Sequence, residues 1–294
     1  MNYENLLQTL SELDEKDIDP RLVVENLDIL EKAHSKLHGL LISARMKNLM
    51  QDFGQRDTDI YVVGYPRSGS TLMQMILYQM TTNGSLEFDH IYDVSPWCRY
   101  SAFVNQPMES VGKRRIIKTH DPYEMFGTIK KGKFIFIVRD CLDVVSSVYQ
   151  QTLDYVDRQV AFEPLSDRNM KRWFDYNLEW LENKDQREIL FLHYEDLLER
   201  KVEMIKSISQ FLEVEVNDEM LNRVLQTTSF DFMKKHESKF GEQPDNRKVY
   251  NNFIRKGKLG EGKEMFNKGQ LRAYSEFSKE YKIENTLLER YFKE

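Results

Sequence analysis

The least interrupted apolar run in the chain is Lys133-Phe-Ile-Phe-Ile-Val138. It lacks polar alternation, which predicts a strand buried on both faces, as in a parallel sheet. Ile60 to Val63 is a second buried strand, short and β-branched. Arg115-Ile-Ile-Lys118 predicts a third that runs into Thr119-His120-Asp121-Pro122, and Glu188 to His193 a fourth that ends at Tyr194-Glu-Asp196. Between them the period changes to helical. Leu72, Met75, Ile76 and Met80 share one stripe. Asp140 can cap a helix from Leu142 to Gln151. Trp173, Tyr176, Asn177 and Trp180 form an aromatic stripe of the kind that fills a core. Strands alternating with helices predict an α/β fold, a doubly wound parallel sheet flanked by helices.

The flanks are less regular. Residues 1–55 read as a helical arm starting at Asp19-Pro20, with Asp as N-cap and Pro in the first turn. Val23, Leu27, Leu30, Leu37, Leu41 and Ala44 predict the face packed on the core. His34 and His38 stand at i, i+4 near Glu31, but lack the further ligands a metal needs. Residues 81–113, which hold Asp89, His90, Trp97 and Arg99, show no clear period and read as loop-rich. Residues 234–252 are polar and turn-rich, as in a surface loop or lid. With no internal repeat or long linker, residues 1–294 are expected to form one domain.

Composition narrows the classes. The 294 residues are 40% hydrophobic and 12% aromatic, ample for a sizeable core, and a net charge of −6 argues against a generic nucleic-acid face. No run approaches the length of a membrane span, and Met-Asn-Tyr-Glu-Asn does not start a signal peptide. Cys98 and Cys141 have neither metal nor redox spacing, which predicts a reducing, cytoplasmic setting.

The chemistry gathers at strand ends. Gly64 to Thr71 follows the first strand and precedes a helix, an arrangement that aims backbone N–H groups at a phosphate. Gly64 and Gly69 have the spacing of a nucleoside-triphosphate loop, G-x-x-x-x-G-K-[ST], and Thr71 holds the hydroxyl position. Ser70 stands where the lysine belongs, and the positive charge moves to Arg67. The loop therefore suits an anion better than a magnesium triphosphate. Arg67, Lys118 to His120, and Arg139 all sit just past strand ends, where ligands of such sheets collect. Arg255-Lys-Gly-Lys-Leu-Gly-Glu-Gly-Lys263 reads either as a solvated loop or as a flexible anion clamp.

Together these segments, from about residue 57 to about residue 270, resemble the cytosolic-type sulfotransferases. That family uses 3′-phosphoadenosine 5′-phosphosulfate (PAPS) as donor on a P-loop-like fold. Tyr65-Pro-Arg-Ser-Gly-Ser-Thr71 resembles its Y-P-K-S-G-T-T loop and Lys118-Thr-His120 its K-T-H segment. Arg139 with Ser147, and Arg255-Lys-Gly257 with Gly260, resemble its 3′-phosphate motifs. Tyr194-Glu-Asp196 and Thr228-Ser-Phe230 are softer echoes. The resemblance implies that Arg67, Ser68, Gly69, Ser70 and Thr71 surround the 5′ end of the donor. It assigns the 3′-phosphate to Arg139, Ser147, Arg255, Lys256 and Gly257, makes Phe230 the aromatic wall beside the adenine, and counts Tyr194 and Thr228 among the donor-binding residues. It implies His120 as general base, with Lys118 and Arg67 stabilising developing charge, and no metal.

The expected reaction moves a sulfuryl group to a hydroxyl or amine of a small molecule, leaving 3′-phosphoadenosine 5′-phosphate (PAP). The alternatives are a P-loop kinase, disfavoured by the absent lysine, and a non-catalytic nucleotide-binding protein, disfavoured by Lys118 with His120. Several positions depart from the family pattern. Leu72 and Gly262 stand where tryptophans are usual. Asn267 and Lys268 replace the residues of the dimer motif, so a monomer, or a homodimer through another surface, is expected. Asp121 follows the base where an apolar residue is common. It reads either as a turn residue before Pro122 or as an acid that orients His120 or favours a polar or basic acceptor, the last suggesting a role in secondary-metabolite tailoring.

Overall fold

β1 (Ile60–Gly64) is buried at all five positions and lies between two other strands. Alternation sends its side chains to opposite faces. Tyr61 and Val63 join one hydrophobic core, and Ile60 and Val62 the other. The sheet is completed by β2 (Ile116–Thr119), β3 (Lys133–Val138) and β4 (Ile189–His193) in the order β2-β1-β3-β4, with every pairing parallel. This computed structural model describes residues 27–82, 84–109, 112–155, 160–241 and 252–292.

The described helices are α1 (Leu27–Asp52), α2 (Ser70–Thr81), α3 (Ile91–Val94), α4 (Cys98–Val104), α5 (Cys141–Tyr155) and α6 (Phe162–Glu182), followed by α7 (Tyr194–Glu199), α8 (Lys201–Leu212), α9 (Asp218–Thr227), α10 (Phe230–Lys235) and α11 (Lys268–Glu280). α1, α4, α5, α6 and α11 contribute to the Tyr61 face, and α2, α8 and α9 to the other. The sheet is thus doubly wound, as its alternating pattern predicts. Trp173, Tyr176 and Trp180 are buried core residues. Asp140 caps α5, accepting the Asp143 amide at 3.0 Å.

Three expectations need correction. In α1 the expected stripe is not the buried one. Leu37 and Leu41 are 59% and 48% exposed, and Ile42, Met46 and Met50 face the core instead. Apolar residues recur at helical spacing on both sides of this helix, so the periodicity alone leaves its rotation open. Contacts with α4 set it: Arg45 donates to the Phe103 carbonyl at 3.1 Å, and His38 meets the Phe103 ring edge-on at 5.6 Å. The start signal at Asp19-Pro20 and the side chains of Val23, Leu27 and Leu30 lie outside the described residues.

The second correction concerns residues 81–113, which contain α3 and α4. α3 is one turn long, too short to show a period. It forms because His90 accepts the Tyr92 amide while Asp93 accepts the His90 amide, a capping box with histidine in the usual serine place. The third concerns residues 234–241, which are not a loose loop. Lys234 and Lys235 end α10, and Phe240 is fully buried. Residues 242–251 lie outside the described set.

One buried ion pair fastens the strand starts together. Arg115 donates through Nε and Nη2 to both oxygens of Asp59, each at 2.8 Å. It also donates to the carbonyls of Phe53 and Gly54, past the end of α1, and stacks 4.0 Å from the Phe53 ring centre. Removing one partner strands a buried charge, which costs about 3–5 kcal/mol. Urea unfolding of Arg115→Leu should show a loss of that size, and the double variant with Asp59→Leu should recover much of it. An unchanged midpoint in the single variant would contradict this role.

Candidate active site

The strand register brings four loops to one level. Val63 pairs with Thr119, Gly64 with Ile137, and Val138 with His193. Tyr65, His120, Arg139 and Tyr194 therefore leave the sheet side by side. β1 is flanked by β2 on one side and β3 on the other, which makes its carboxyl end the switch point where a crevice opens. A cleft of about 410 Å³ lies there. Every residue expected at the site lines it except Ser68 and Asp121.

The Gly64–Thr71 loop ends at Gly69, whose φ of 98° is left-handed and suited to glycine. A methyl group at Gly69 would also collide with the Tyr194 ring. α2 starts next, with no side-chain cap and no acidic residue in its first turn. Its first amide groups and its dipole are thus available to an anion. Arg67 has a φ of 72°, unusual for a residue with a side chain. Contacts hold it there: Nε donates to Ser147 Oγ at 2.9 Å, Nη2 to the Phe253 carbonyl at 2.8 Å, and Arg139 Nη1 donates to the Arg67 carbonyl at 3.1 Å. Arg67 is therefore held on the Ser147 side of the cleft. Ser68 turns away: it is fully buried, and its amide donates to the Tyr65 carbonyl.

His120 sits between these groups and β2. Its Nδ1 lies 2.6 Å from the Gly64 carbonyl oxygen, which can only accept, so Nδ1 carries the proton and Nε2 keeps its lone pair. Burial, then the charges of Lys118, Arg67 and Arg99, lower its pKa to about 3. Lys118 donates to the Tyr92 hydroxyl at 3.3 Å, with its ammonium 5.1 Å from the Trp97 ring centre. Trp97 meets the His120 ring at 5.7 Å, inclined by 68°.

A second wall comes from β3, α5 and the loop after residue 252. Arg139 lies 4.7 Å over the Tyr194 ring, and its buried Nε has no partner among the described residues. Asp143, in the first turn of α5, accepts from Arg139 and from the amides of Gly260 at 3.0 Å and Gly262 at 2.8 Å. Phe230, 41% exposed, faces the cleft, and a methyl group at Gly257 would collide with its ring. Lys256 pairs with Glu261 at 2.6 Å. Lys201, absent from the sequence expectation, lines the cleft and donates to the Thr228 carbonyl at 2.7 Å. Burial lowers its pKa. Arg99 and Trp97 were visible only as members of an irregular stretch. The parallel bridge between Trp97 and Lys118 is what carries them to the site.

Asp121 corrects another expectation. It is fully buried and off the cleft, and it accepts from Arg99 Nε at 3.1 Å, from Arg99 Nη2, and from Thr119 Oγ1 at 3.1 Å. The side chain facing the cleft is Arg99. Eight lysines and arginines line the cleft, and no described lining residue is acidic.

A strongly basic cleft with an uncapped helix start and a deprotonated histidine suits a ligand with several phosphate-type charges. The class so defined is a P-loop-like α/β enzyme that handles anions. The sulfotransferase domain family matches residues 57–286, and the chain belongs to that family of PAPS-dependent enzymes. Human sulfotransferase 1E1 is 30% identical over 266 residues, covering 82% of this chain and 90% of that protein. Mouse sulfotransferase 1 family member D1 is 29% identical over 272 residues, covering 81% and 88%. The crystal structure of mouse sulfotransferase SULT7A1 complexed with PAP has the same fold, with a TM-score of 0.68 at 24% identity, covering 85% of this chain and 92% of that one. Retinol dehydratase in a complex with retinol and PAP gives 0.62 at 20% identity, covering 81% and 84%.

The depressed pKa of His120 has a measurable consequence. Unfolded histidine binds a proton near pH 6.5, whereas the folded one does so only near 3. The unfolded state thus holds more protons between these values, and stability linked to His120 falls as pH drops through this window. The NMR shift of His120 Cε1–H should stay flat from pH 5 to 8 in the protein alone. PAP should raise its pKa by offsetting Lys118 and Arg67. A midpoint near 6.5 without ligand would contradict the burial and positive surroundings of this ring.

Proposed function

We propose that this enzyme transfers the sulfuryl group of PAPS to a hydroxyl or amine of a small molecule by in-line displacement, with His120 as general base. The observation that carries this reading is the bond between His120 Nδ1 and the Gly64 carbonyl, which leaves Nε2 as an acceptor inside the basic cleft. The residues present fit the donor. The buried Arg139 Nε lacks a partner among the described residues, and Gly69 and Gly257 let the Tyr194 and Phe230 rings pack directly on the loop backbone. Arg139, Ser147, Arg255, Lys256 and Gly257 would hold the 3′-phosphate. Gly69, Ser70 and Thr71 would hold the 5′ end, with Arg67 reaching from the same loop to the Ser147 side, and Phe230 with Tyr194, Thr228 and Leu72 the base.

When bound, PAPS supplies an electrophilic sulfur on its 5′-phosphate. His120 Nε2 takes the acceptor proton as the new bond to sulfur forms, and the bond from sulfur to the phosphate oxygen breaks to release PAP. Lys118, fixed by Tyr92 and Trp97, stabilises charge building on that oxygen. Direct protein donors carry the whole anionic load, so no metal is required. The suggestion of secondary-metabolite tailoring through a basic acceptor rested on Asp121 facing the acceptor, and its position behind Arg99 removes that support. Asn267, in place of the dimer-motif residue, caps α11 in a box with Gln270. Any homodimer would then use another surface.

His120→Ala should lose about 10²–10⁴-fold in turnover of radiolabelled PAPS, while its melting temperature still rises with PAP. Wild-type turnover in this variant would remove His120 from the mechanism. PAP should stabilise the wild type far more than magnesium ATP does, the reverse of what a kinase would show. Sulfuryl transfer should also be unchanged by EDTA, and a loss restored by magnesium would overturn the metal-free reading.

A further inference from the structure

Arg99 lies in the first turn of α4, two residues after the Trp97 that meets His120 edge-on. Its guanidinium is pinned along one edge, because Nε and Nη2 both donate to the same oxygen, Oδ1 of Asp121. Asp121 is itself fixed. It is fully buried, its other oxygen accepts from Thr119 Oγ1, and its backbone carbonyl accepts from Trp180 Nε1 at 3.3 Å. The remaining terminal nitrogen of Arg99, Nη1, has no partner among the described residues, and the side chain is 40% exposed where it lines the cleft. The pair therefore presents its positive end outward and keeps its negative end buried.

We propose that Arg99 is a specificity-determining residue that selects acceptors bearing a carboxylate. This rests on the sulfuryl-transfer reading and names its substrate class. A pinned guanidinium with an available edge is pre-organised for a carboxylate, since little rotamer freedom remains to be lost. The charge of Arg99 acts at the reacting position, as it is one of the three cations that keep a proton off His120. An amine-bearing acceptor would meet Lys118, Arg67 and Arg99 with no carboxylate among the described lining residues to offset them. The same geometry disfavours the basic acceptor that Asp121 suggested in the sequence.

The test uses the full chain saturated with PAP and three phenols of matched size: 4-hydroxyphenylacetate, 4-ethylphenol and tyramine. Calorimetry should show the carboxylate phenol binding about tenfold tighter than the neutral one, the scale of a charge-assisted hydrogen bond. Tyramine should bind most weakly. Arg99→Gln alone would strand the buried Asp121, so the informative variant is Arg99→Gln with Asp121→Asn, which removes both charges and keeps both shapes. It should abolish the preference at near wild-type PAP affinity. Equal binding of the three phenols, a preference for tyramine, no measurable binding of the carboxylate phenol, or an undiminished preference in the double variant would each overturn the proposal. Parallel incubation with radiolabelled PAPS separates the two readings. If no phenol is sulfated, the transfer reading fails, and the binding preference is still read.

Discussion

The carbonyl of Gly64 and the Nδ1 of His120 meet where two neighbouring strands end. Gly64 closes β1 and opens the anion loop, while His120 follows β2. A single hydrogen bond therefore sets the distance between the loop that would hold a donor and the ring that would take a proton. It also selects the tautomer, because a carbonyl oxygen cannot donate. The bond depends on the register of two parallel strands that are buried on both faces. A slip of one residue would turn the strands' side chains to the wrong face and carry His120 away from Gly64. The reactivity of the ring is thus a consequence of sheet packing.

Electrostatics follow from the same layering. The cleft is lined by basic side chains although the chain carries a net charge of −6. The acids that balance this cluster stand behind or beside it: Asp121 behind Arg99, Asp143 behind Arg139, and Glu261 beside Lys256 and Lys258. Each carboxylate fixes a cation and gives up its own access to the cleft. The result is a positive surface made of immobilised donors, which loses little freedom when an anion arrives. His120 lies within it, its pKa depressed first by burial and then by the charges of Lys118, Arg67 and Arg99.

Much of this was legible in the sequence because strands buried on both faces leave a plain signal. Lys133–Val138 reads as a strand from composition alone, and its end places Arg139. The loop from Gly64 to Thr71 and the pairing of Lys118 with His120 were equally readable, since residue types at fixed spacing mark them, and both line the cleft. The misreadings share a different cause. The rotation of α1 depends on its contacts with α4, Asp121 on a partner twenty-two residues earlier, and Lys201 on the Thr228 carbonyl twenty-seven residues later. Periodicity encodes which element forms. It does not encode which neighbour a polar side chain will find.

The tail loop shows how one substitution is absorbed by such neighbours. The family pattern has a tryptophan where this chain has Gly262. In the structure Gly262 packs so tightly on the start of α5 that a methyl group would collide with Leu142 and with Asp143 Cα. This close approach lets its amide and that of Gly260 bond to Asp143, while Ser146 donates to the Gly262 carbonyl at 3.1 Å. Asp143 also accepts from Arg139. The loop that carries Arg255 and Lys256 is therefore registered to Arg139 on the same wall through a single carboxylate. In this chain, tail order comes from backbone hydrogen bonds to α5, and an indole at position 262 would prevent them.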